Sequence, residues 1–227
     1  MLIETFLDSA EATTVAETTY RRIRSDIVLG RLAPGRRLPL ERMKETYGTS
    51  VSTLRELFNR LATEGLLVAE GARGFQVSAV SSTNLREVAA MRLLLESHGL
   101  KESFQRGDLE WESRVVAAHH KLATMEKRMA ADPATPAQSW RHHDWAFHLA
   151  LISACGSDML LQTYAAVCDK YLRYQMIAAI FRGELAADEH RILLECALAR
   201  DWQRAQQTLT THVNDCVTQM ASELDAA

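Results

Sequence analysis

Apolar side chains recur at helical spacing through the first part of the chain. In the segment VAETTYRRIRSDIV, which begins at Val15, they fall every three or four residues until Gly30 ends the pattern, so one amphipathic helix is predicted. A second, short helix is predicted from about Leu40 to Thr46. A third follows the turn at Gly48 in the segment STLRELFNRLATEG, and its inward-facing positions are Leu54, Leu57, Phe58 and Leu61.

Two short β-type segments follow the third helix. LLVAE and GFQVSAV are separated by Gly71-Ala72-Arg73-Gly74, and this arrangement predicts a hairpin. Three short helices followed by a hairpin are the element order of a winged helix-turn-helix. We therefore predict such a DNA-binding domain over residues 15–80, preceded by an N-terminal extension over residues 1–14.

From residue 82 onward the apolar pattern is helical, and turn-forming residues interrupt it. These breaks divide the segment into six helices, predicted at about 83–106, 109–131, 138–155, 157–181, 187–200 and 202–223. Six helices of this length form a bundle. The sequence therefore predicts a mainly α protein whose residues 81–227 make an all-helical second domain.

Charge differs between the two predicted domains. Residues 13–80 carry 11 Lys and Arg against 7 Asp and Glu, whereas residues 81–227 have a net charge of −4. A basic domain joined to an acidic one indicates that the first binds a polyanion. No apolar stretch reaches the roughly 20 residues that a membrane span needs, and the N-terminus lacks a basic signal region. We therefore expect a cytoplasmic protein with no membrane partner.

The start of the third helix carries side chains suited to DNA. Ser50, Ser52, Thr53 and Arg55 supply short hydroxyls and one guanidinium, and Arg73 lies at the tip of the hairpin. If the helix end enters a major groove, such groups reach base edges and phosphates. Each residue taken singly is as easily a solvated surface residue, so the interpretation depends on the ordered set.

A carboxylate and an imidazole fall on an apolar helix face in the segment RHHDWAFHLALISACG. Asp144 and His148 lie one turn apart, on the side of Leu151, and burying an ionised group without a partner is costly. His190 and His212 lie on the inward faces of the last two helices. Singly, each histidine is more often a hydrogen-bonded core residue. Together, one carboxylate and three imidazoles can hold one divalent cation, Zn²⁺, Ni²⁺ or Mn²⁺, with positions left for a ligand oxygen.

The first domain resembles the winged-helix domain of the GntR transcription regulators. The segments IVLGRLAPGRRL, ERMKETYGTSVSTLRELFNRLATEGLLV and GARGFQV carry the resemblance over residues 15–80. Two positions depart from the family pattern, because Val51 replaces a frequent Arg and Thr53 replaces a Pro. The resemblance implies that DNA is contacted by Arg42, Ser52, Thr53, Arg55, Arg73 and Gly74.

The second domain resembles the FCD ligand-binding domain of the FadR branch of these regulators. Three features fill that domain's metal pattern: the D-x-x-x-H of DWAFH, the EHR near the start of the fifth bundle helix, and the histidine of the last helix. The segments VAAHHKL, ACGS and EHRILLECALARD are similar to the subgroup of carbon-starvation-induced repressors. The resemblance implies a homodimer that binds an inverted-repeat operator, with a small carboxylate, leaning toward a short dicarboxylate, contacting the metal or lying beside it.

A carboxylate effector calls for a cation from the protein. Arg92 and Arg173 each share a helical stripe with apolar residues, and a planar guanidinium can hold a carboxylate with two hydrogen bonds. Arg92 also matches the family's R-x-x-L-E motif. We therefore expect a DNA-binding repressor whose operator affinity is controlled by a carboxylate at a metal site.

Two other functions use the same residues. A regulator that senses the cation itself needs only the four metal ligands. A metal-dependent enzyme would use the metal to activate water. The enzyme is disfavoured because no free carboxylate or histidine is clearly placed as a general base, and because it would have no use for the DNA-binding domain.

Overall fold

The structure is a computed structural model that describes residues 14–132, 137–178 and 182–226. The predicted extension over residues 1–14 lies outside the described residues except for its last position. The N-terminal elements are helix α1 (Val15–Val28), strand β1 (Arg37–Leu38), helix α2 (Leu40–Tyr47), helix α3 (Val51–Thr63), strand β2 (Leu67–Ala69) and strand β3 (Phe75–Val77). This order confirms the predicted winged helix-turn-helix.

Local side-chain chemistry sets the ends of these helices. The Thr14 hydroxyl accepts a hydrogen bond from the backbone N–H of Glu17 at 3.1 Å and so begins α1. Gly48 ends α2 in the left-handed region, with a φ of 64°. The Ser50 hydroxyl caps α3 by accepting from the N–H of Thr53 at 3.1 Å. The turn between α2 and α3 is thereby fixed at both sides.

A small antiparallel sheet closes this domain, with β3 between β1 and β2. Leu38 lies opposite Phe75, and Leu67 lies opposite Val77. Strand β1 was not predicted, because two residues are too short to show a strand period. The sheet packs on a core that includes Tyr20, Ile23, Ile27, Leu54, Leu57, Phe58 and Leu61. The positions predicted to face inward on the third helix are thus buried.

The rest of the described chain is helical. Its elements are α4 (Ser82–Arg106), α5 (Leu109–Ala131), α6 (Ala137–Ile152), α7 (Asp158–Ala178), α8 (Glu184–Ala199) and α9 (Trp202–Ala226). The predicted helical domain is confirmed, with boundaries that differ by a few residues. Helix α6 ends at Ile152 rather than at 155, because the chain turns at 153–156 and Gly156 adopts a φ of 73°. The predicted end of the fourth bundle helix, at 181, falls outside the described residues.

The helices of this domain pack around one large apolar core. Helix α4 lies along α9 and α7, and α5 lies along α6 and α8. Trp111, Trp145 and Phe147 are among its fully buried side chains. The four cysteines are buried free thiols: Cys155, Cys168, Cys196 and Cys216. Within the described ranges, no helix is both long enough and apolar enough to cross a membrane.

Helices α1 and α7 pack against each other where the two domains meet. Arg24 of α1 forms a buried ion pair with Asp169 of α7, and its Nε atom lies 3.3 Å from Glu64 at the end of α3. From α7, Arg173 donates a hydrogen bond to the carbonyl oxygen of Ser78, just after β3. We call these five residues the domain junction.

Candidate metal centre

Four side chains predicted as metal ligands meet inside the helical domain. Asp144 and His148 come from α6, His190 from α8 and His212 from α9, and one ligand atom of each lies within 4.8 Å of the others. All four side chains are buried, with at most 5% of each residue exposed. The faces inferred from helical periodicity therefore do converge on one point.

Each of the three histidines is hydrogen-bonded through Nδ1 to a glutamate from a neighbouring helix. The pairs are His148 with Glu96 at 2.5 Å, His190 with Glu126 at 2.7 Å and His212 with Glu189 at 2.7 Å. Because an ionised carboxylate can only accept a hydrogen bond, Nδ1 carries the proton and donates it to this bond, and Nε2 of the neutral ring presents its lone pair on the opposite side. The three imidazoles are therefore held as Nε2 ligands.

Three inner atoms of this cluster lack a hydrogen bond of normal geometry. Among the described residues, Asp144 Oδ1 and the Nε2 atoms of His148 and His190 are buried without a hydrogen-bond partner. Asp144 Oδ1 lies 3.2 Å from His190 Nε2 and 3.8 Å from His148 Nε2, within ion-pair distance. Buried polar atoms seldom remain unsatisfied. A divalent cation suits them, because three imidazole nitrogens and one carboxylate oxygen form a donor set that Zn²⁺, Ni²⁺ and Mn²⁺ accept.

In the absence of a metal, the pKa values of three side chains in the cluster differ from their ordinary values. Burial disfavours the charged form of His190, but its contacts with Asp144 and Glu126 outweigh this and raise its pKa to about 9. Burial lowers the pKa of His212 to about 3, although its hydrogen bond with Glu189 opposes the change. Burial acts to raise the pKa of Asp144, but the surrounding histidines lower it below its usual value. Without a metal, the cluster therefore keeps a proton on His190, between two carboxylates.

Arg92 lies next to this cluster. Its Nε atom donates to Glu96 at 2.9 Å, and its guanidinium lies 4.5 Å from the centre of the Trp145 ring and 4.8 Å from that of Tyr171. Its Nη2 atom is buried and has no hydrogen-bond partner among the described residues. Burial disfavours the charge of Arg92, but Glu96 raises its pKa well above the usual value. A permanent cation is thus buried with one donor nitrogen unused.

The second arginine predicted to bind an effector lies elsewhere. Arg173 donates to the carbonyl of Ser78 in the domain junction, and the cleft that it lines includes Lys170 and Tyr174. Arg173 belongs to the domain junction because α7 has two buried faces, one toward the four clustered residues and one toward the winged helix. Helical periodicity shows that a residue is buried but does not show which neighbour covers it.

Sequence reasoning missed a buried arginine and the three glutamates. Arg141 is 2% exposed, and its guanidinium lies 4.3 Å from the centre of the Trp140 ring. Its position one turn before Asp144 places it on the same buried helix face, so the sequence alone could have identified it. Glu96, one turn after Arg92, could also have been found in this way. Glu126 and Glu189 could not, because their pairing depends on contacts between helices.

The residues expected to contact DNA lie on α2, α3 and the hairpin. Arg42, Arg55 and Arg73 are exposed, and none of the three pairs with a carboxylate in the described part of the chain. The Ser50 hydroxyl lies 2.8 Å from that of Ser52 and 2.9 Å from that of Thr53, so a cluster of hydroxyls marks the N-terminus of α3. Gly74 ends the hairpin turn with a φ of 89°. This surface has the polar and cationic groups that a DNA duplex requires.

Two known families match different parts of the chain. Residues 15–77 match the family described as bacterial regulatory proteins, gntR family, and residues 87–215 match the FCD domain. The HTH-type transcriptional regulator BphR of Paraburkholderia xenovorans is 35% identical, over 92% of this chain and 86% of its own. The chain belongs to the GntR family and carries an FCD domain.

One further relative and one solved structure are also similar to this GntR-family protein. The HTH-type transcriptional repressor GlaR of Escherichia coli is 30% identical, over 86% of this chain and 90% of its own. The solved structure of E. coli McbR/YncC is similar in fold, with a TM-score of 0.76 at 18% identity over 93% of this chain and 99% of its own. The GntR-family chain is therefore a DNA-binding transcriptional regulator rather than an enzyme.

Proposed function

We propose that this GntR-family regulator is a repressor whose operator affinity is controlled by a small carboxylate bound beside one divalent metal ion. The metal, Zn²⁺, Ni²⁺ or Mn²⁺, would be held by Asp144, His148, His190 and His212. Two copies of the chain would bind an inverted-repeat operator as a homodimer, in agreement with the family resemblance. The winged helix supplies the DNA surface, and the helical domain supplies the sensor.

The convergence of the four ligands is the observation that carries this proposal. They come from three helices, lie within 4.8 Å of one another and are buried. A structural core would pair such groups with one another through hydrogen bonds. Here Asp144 Oδ1 lies 3.2 Å from His190 Nε2 and 3.8 Å from His148 Nε2, and none of the three atoms forms a hydrogen bond of normal geometry among the described residues, which supports a cation between them.

Arg92 is the residue best placed to hold the carboxylate. Its Nε atom is fixed by Glu96, whereas its buried Nη2 atom is available to donate. When bound, the metal supplies a positive charge that attracts a carboxylate oxygen. Arg141 brings a second buried guanidinium to the helix that carries Asp144. Two guanidiniums beside one site favour a dicarboxylate over a monocarboxylate.

At the other end of the molecule, the exposed arginines would bind the operator. Arg55 near the start of α3 and Arg73 in the hairpin are separated from the metal centre by the domain junction. A carboxylate can change operator affinity only if it binds two arrangements of the domains with different affinity. The junction is the contact through which such a difference would reach the DNA-binding surface.

The test is a thermal-shift screen of small mono- and dicarboxylates on the metal-loaded and the chelated protein. A ligand that binds only the folded state raises the melting temperature by mass action. We expect a shift from dicarboxylates that disappears on chelation and is absent in His190→Ala. If no carboxylate shifts the metal-loaded protein and operator affinity follows the metal alone, the protein senses the cation, and the carboxylate part of the proposal is wrong.

A further inference from the structure

We infer that Glu96, Glu126 and Glu189 act together as a carboxylate shell that positions the three histidine ligands and sets the metal affinity of the centre. This inference rests on the metal site of the proposed function. It adds three positioning residues that do not themselves contact the metal.

The shell joins helices in pairs. Glu96 of α4 holds His148 of α6, Glu126 of α5 holds His190 of α8, and Glu189 of α8 holds His212 of α9; in order, the hydrogen bonds are 2.5, 2.7 and 2.7 Å long. Each pair thus fixes a ligand from one helix against a neighbouring helix. The orientation of every imidazole is therefore set by tertiary packing, before any metal binds.

Hydrogen bonding at Nδ1 also selects the tautomer. An imidazole whose Nδ1–H donates to a carboxylate presents Nε2 to a metal and becomes a stronger ligand. Loss of such a partner in metal sites typically costs 10–100-fold in metal affinity. The same range is expected here for the loss of one carboxylate.

Two of the three glutamates are held in turn by arginines. Glu96 accepts from Arg92 at 2.9 Å, and both carboxylate oxygens of Glu189 accept from Arg182, at 2.8 and 3.0 Å. Substitution of either glutamate would also release a cation. Glu126 has no ion pair with Lys or Arg in the described part of the chain, and its side chain is 6% exposed. Of the three glutamates, Glu126 is therefore the one whose substitution most directly tests the effect of a carboxylate on its histidine, His190.

The test compares metal affinity in Glu126→Gln and in wild type. Affinity for Zn²⁺, Ni²⁺ or Mn²⁺, whichever the wild type binds most tightly, is measured by competition with a chromophoric chelator. We expect 10–100-fold weaker binding with the stoichiometry unchanged, because glutamine keeps the volume but not the charged acceptor. The visible spectrum of the Co²⁺-loaded variant should also change, which a residue that only supports packing would not cause.

A matched control lies on the same helix. Glu112→Gln removes the same charge from α5 and breaks the ion pair with Arg200, away from the four ligands. It should bind the metal within about twofold of wild type, about 0.4 kcal/mol. The melting temperature of each metal-free variant checks that the fold is intact.

The possible results distinguish a failure of the carboxylate shell from a failure of the metal site. If wild type binds one metal and Glu126→Gln binds it equally well, the shell is refuted and the metal site stands. If Glu126→Gln does not fold, Glu189→Gln gives the same comparison for His212, and unchanged affinity there refutes the shell. A wild-type protein that binds none of the three ions refutes the site itself, and the shell with it.

Discussion

Asp169 of α7 and Arg24 of α1 form a buried ion pair across the domain junction. The same α7 carries Tyr171, whose ring lies 4.8 Å from the Arg92 guanidinium beside the metal cluster. One helix therefore contacts both the sensor and the DNA-binding domain. A shift of α7 on ligand binding would change the contact with α1 and, through Glu64, the end of α3, the helix proposed to contact DNA.

Asp169→Asn should lower the stability of the protein and weaken the coupling between its two domains. It replaces a charged partner of the buried Arg24 with a neutral amide, so the free energy of unfolding should fall by about 1.5–3 kcal/mol, the range for a hydrogen bond to a charged group. The metal content should not change, whereas the effect of a carboxylate on operator affinity should shrink. Urea unfolding and a DNA titration with and without the carboxylate measure the two effects.

Asp188→Asn is the control for that substitution. Asp188 pairs with Arg191 on the exposed face of α8, where a surface ion pair contributes about 0–1 kcal/mol. Its unfolding free energy and its carboxylate response should match those of wild type. An Asp169→Asn protein that retained the full carboxylate response would show that the ion pair does not carry the coupling.

Arg55→Ala should weaken operator binding while the metal site stays intact. Loss of a guanidinium that contacts a base is expected to cost about 1–3 kcal/mol. Fluorescence anisotropy with an operator duplex measures this loss, and Arg191→Ala, in an exposed position on α8, serves as the control. Operator affinity equal to that of wild type would refute the placement of α3 on the DNA.

His190→Ala should have the opposite effect. It removes one imidazole from the cluster and leaves Glu126 and Asp144 without that partner, so the bound metal and the carboxylate response should both be lost. The winged helix keeps its own core, and the protein should still bind operator DNA. A carboxylate response that survived in this variant would place the effector site elsewhere.

The stability of the metal-free protein should depend on pH through His190. Its pKa in the folded state, about 9, exceeds the ordinary value of 6.5, so the folded state binds the proton more tightly than the unfolded state. This contribution to stability is complete below pH 6.5 and is lost as the pH rises through 9. Metal binding displaces that proton, so metal affinity should rise over the same interval.

Melting curves of the chelated protein at several pH values between 6.5 and 9.5 test this expectation. His190→Ala should show a weaker decline over that interval. The low pKa of His212, about 3, acts in the opposite sense: because its folded state disfavours the proton, stability should fall as the pH drops below 6.5. A metal-free protein equally stable from pH 6.5 to 9.5 would contradict the assignment for His190, and one whose stability did not fall below pH 6.5 would contradict the assignment for His212.

The sequence predicted the helices and the buried faces of the four proposed ligands because both depend on local spacing. Caps such as Ser50, breaks such as Gly48 and the one-turn distance from Asp144 to His148 are visible along the chain. Helical spacing also gave the correct inward faces of His190 and His212. Periodicity is sufficient where the question is which side of a helix is buried.

Spacing could not show which buried groups meet. Arg173 has the apolar stripe expected of an effector ligand, yet it binds Ser78 because the winged helix covers that face of α7. Glu126 lies 64 residues from His190 in sequence, and only the packing of α5 against α8 brings them together. Strand β1 escaped prediction because its partner, β3, supplies the hydrogen bonds that define it.

Elemental analysis of the untagged wild-type protein, alongside His190→Ala, tests the central claim most directly. Both proteins are loaded with Zn²⁺, Ni²⁺ or Mn²⁺ and dialysed before measurement. The account predicts one divalent ion per chain in the wild type and almost none in the variant. A wild type that retains no ion after loading would contradict it, and Asp144, His148, His190 and His212 would then be a hydrogen-bonded part of the core.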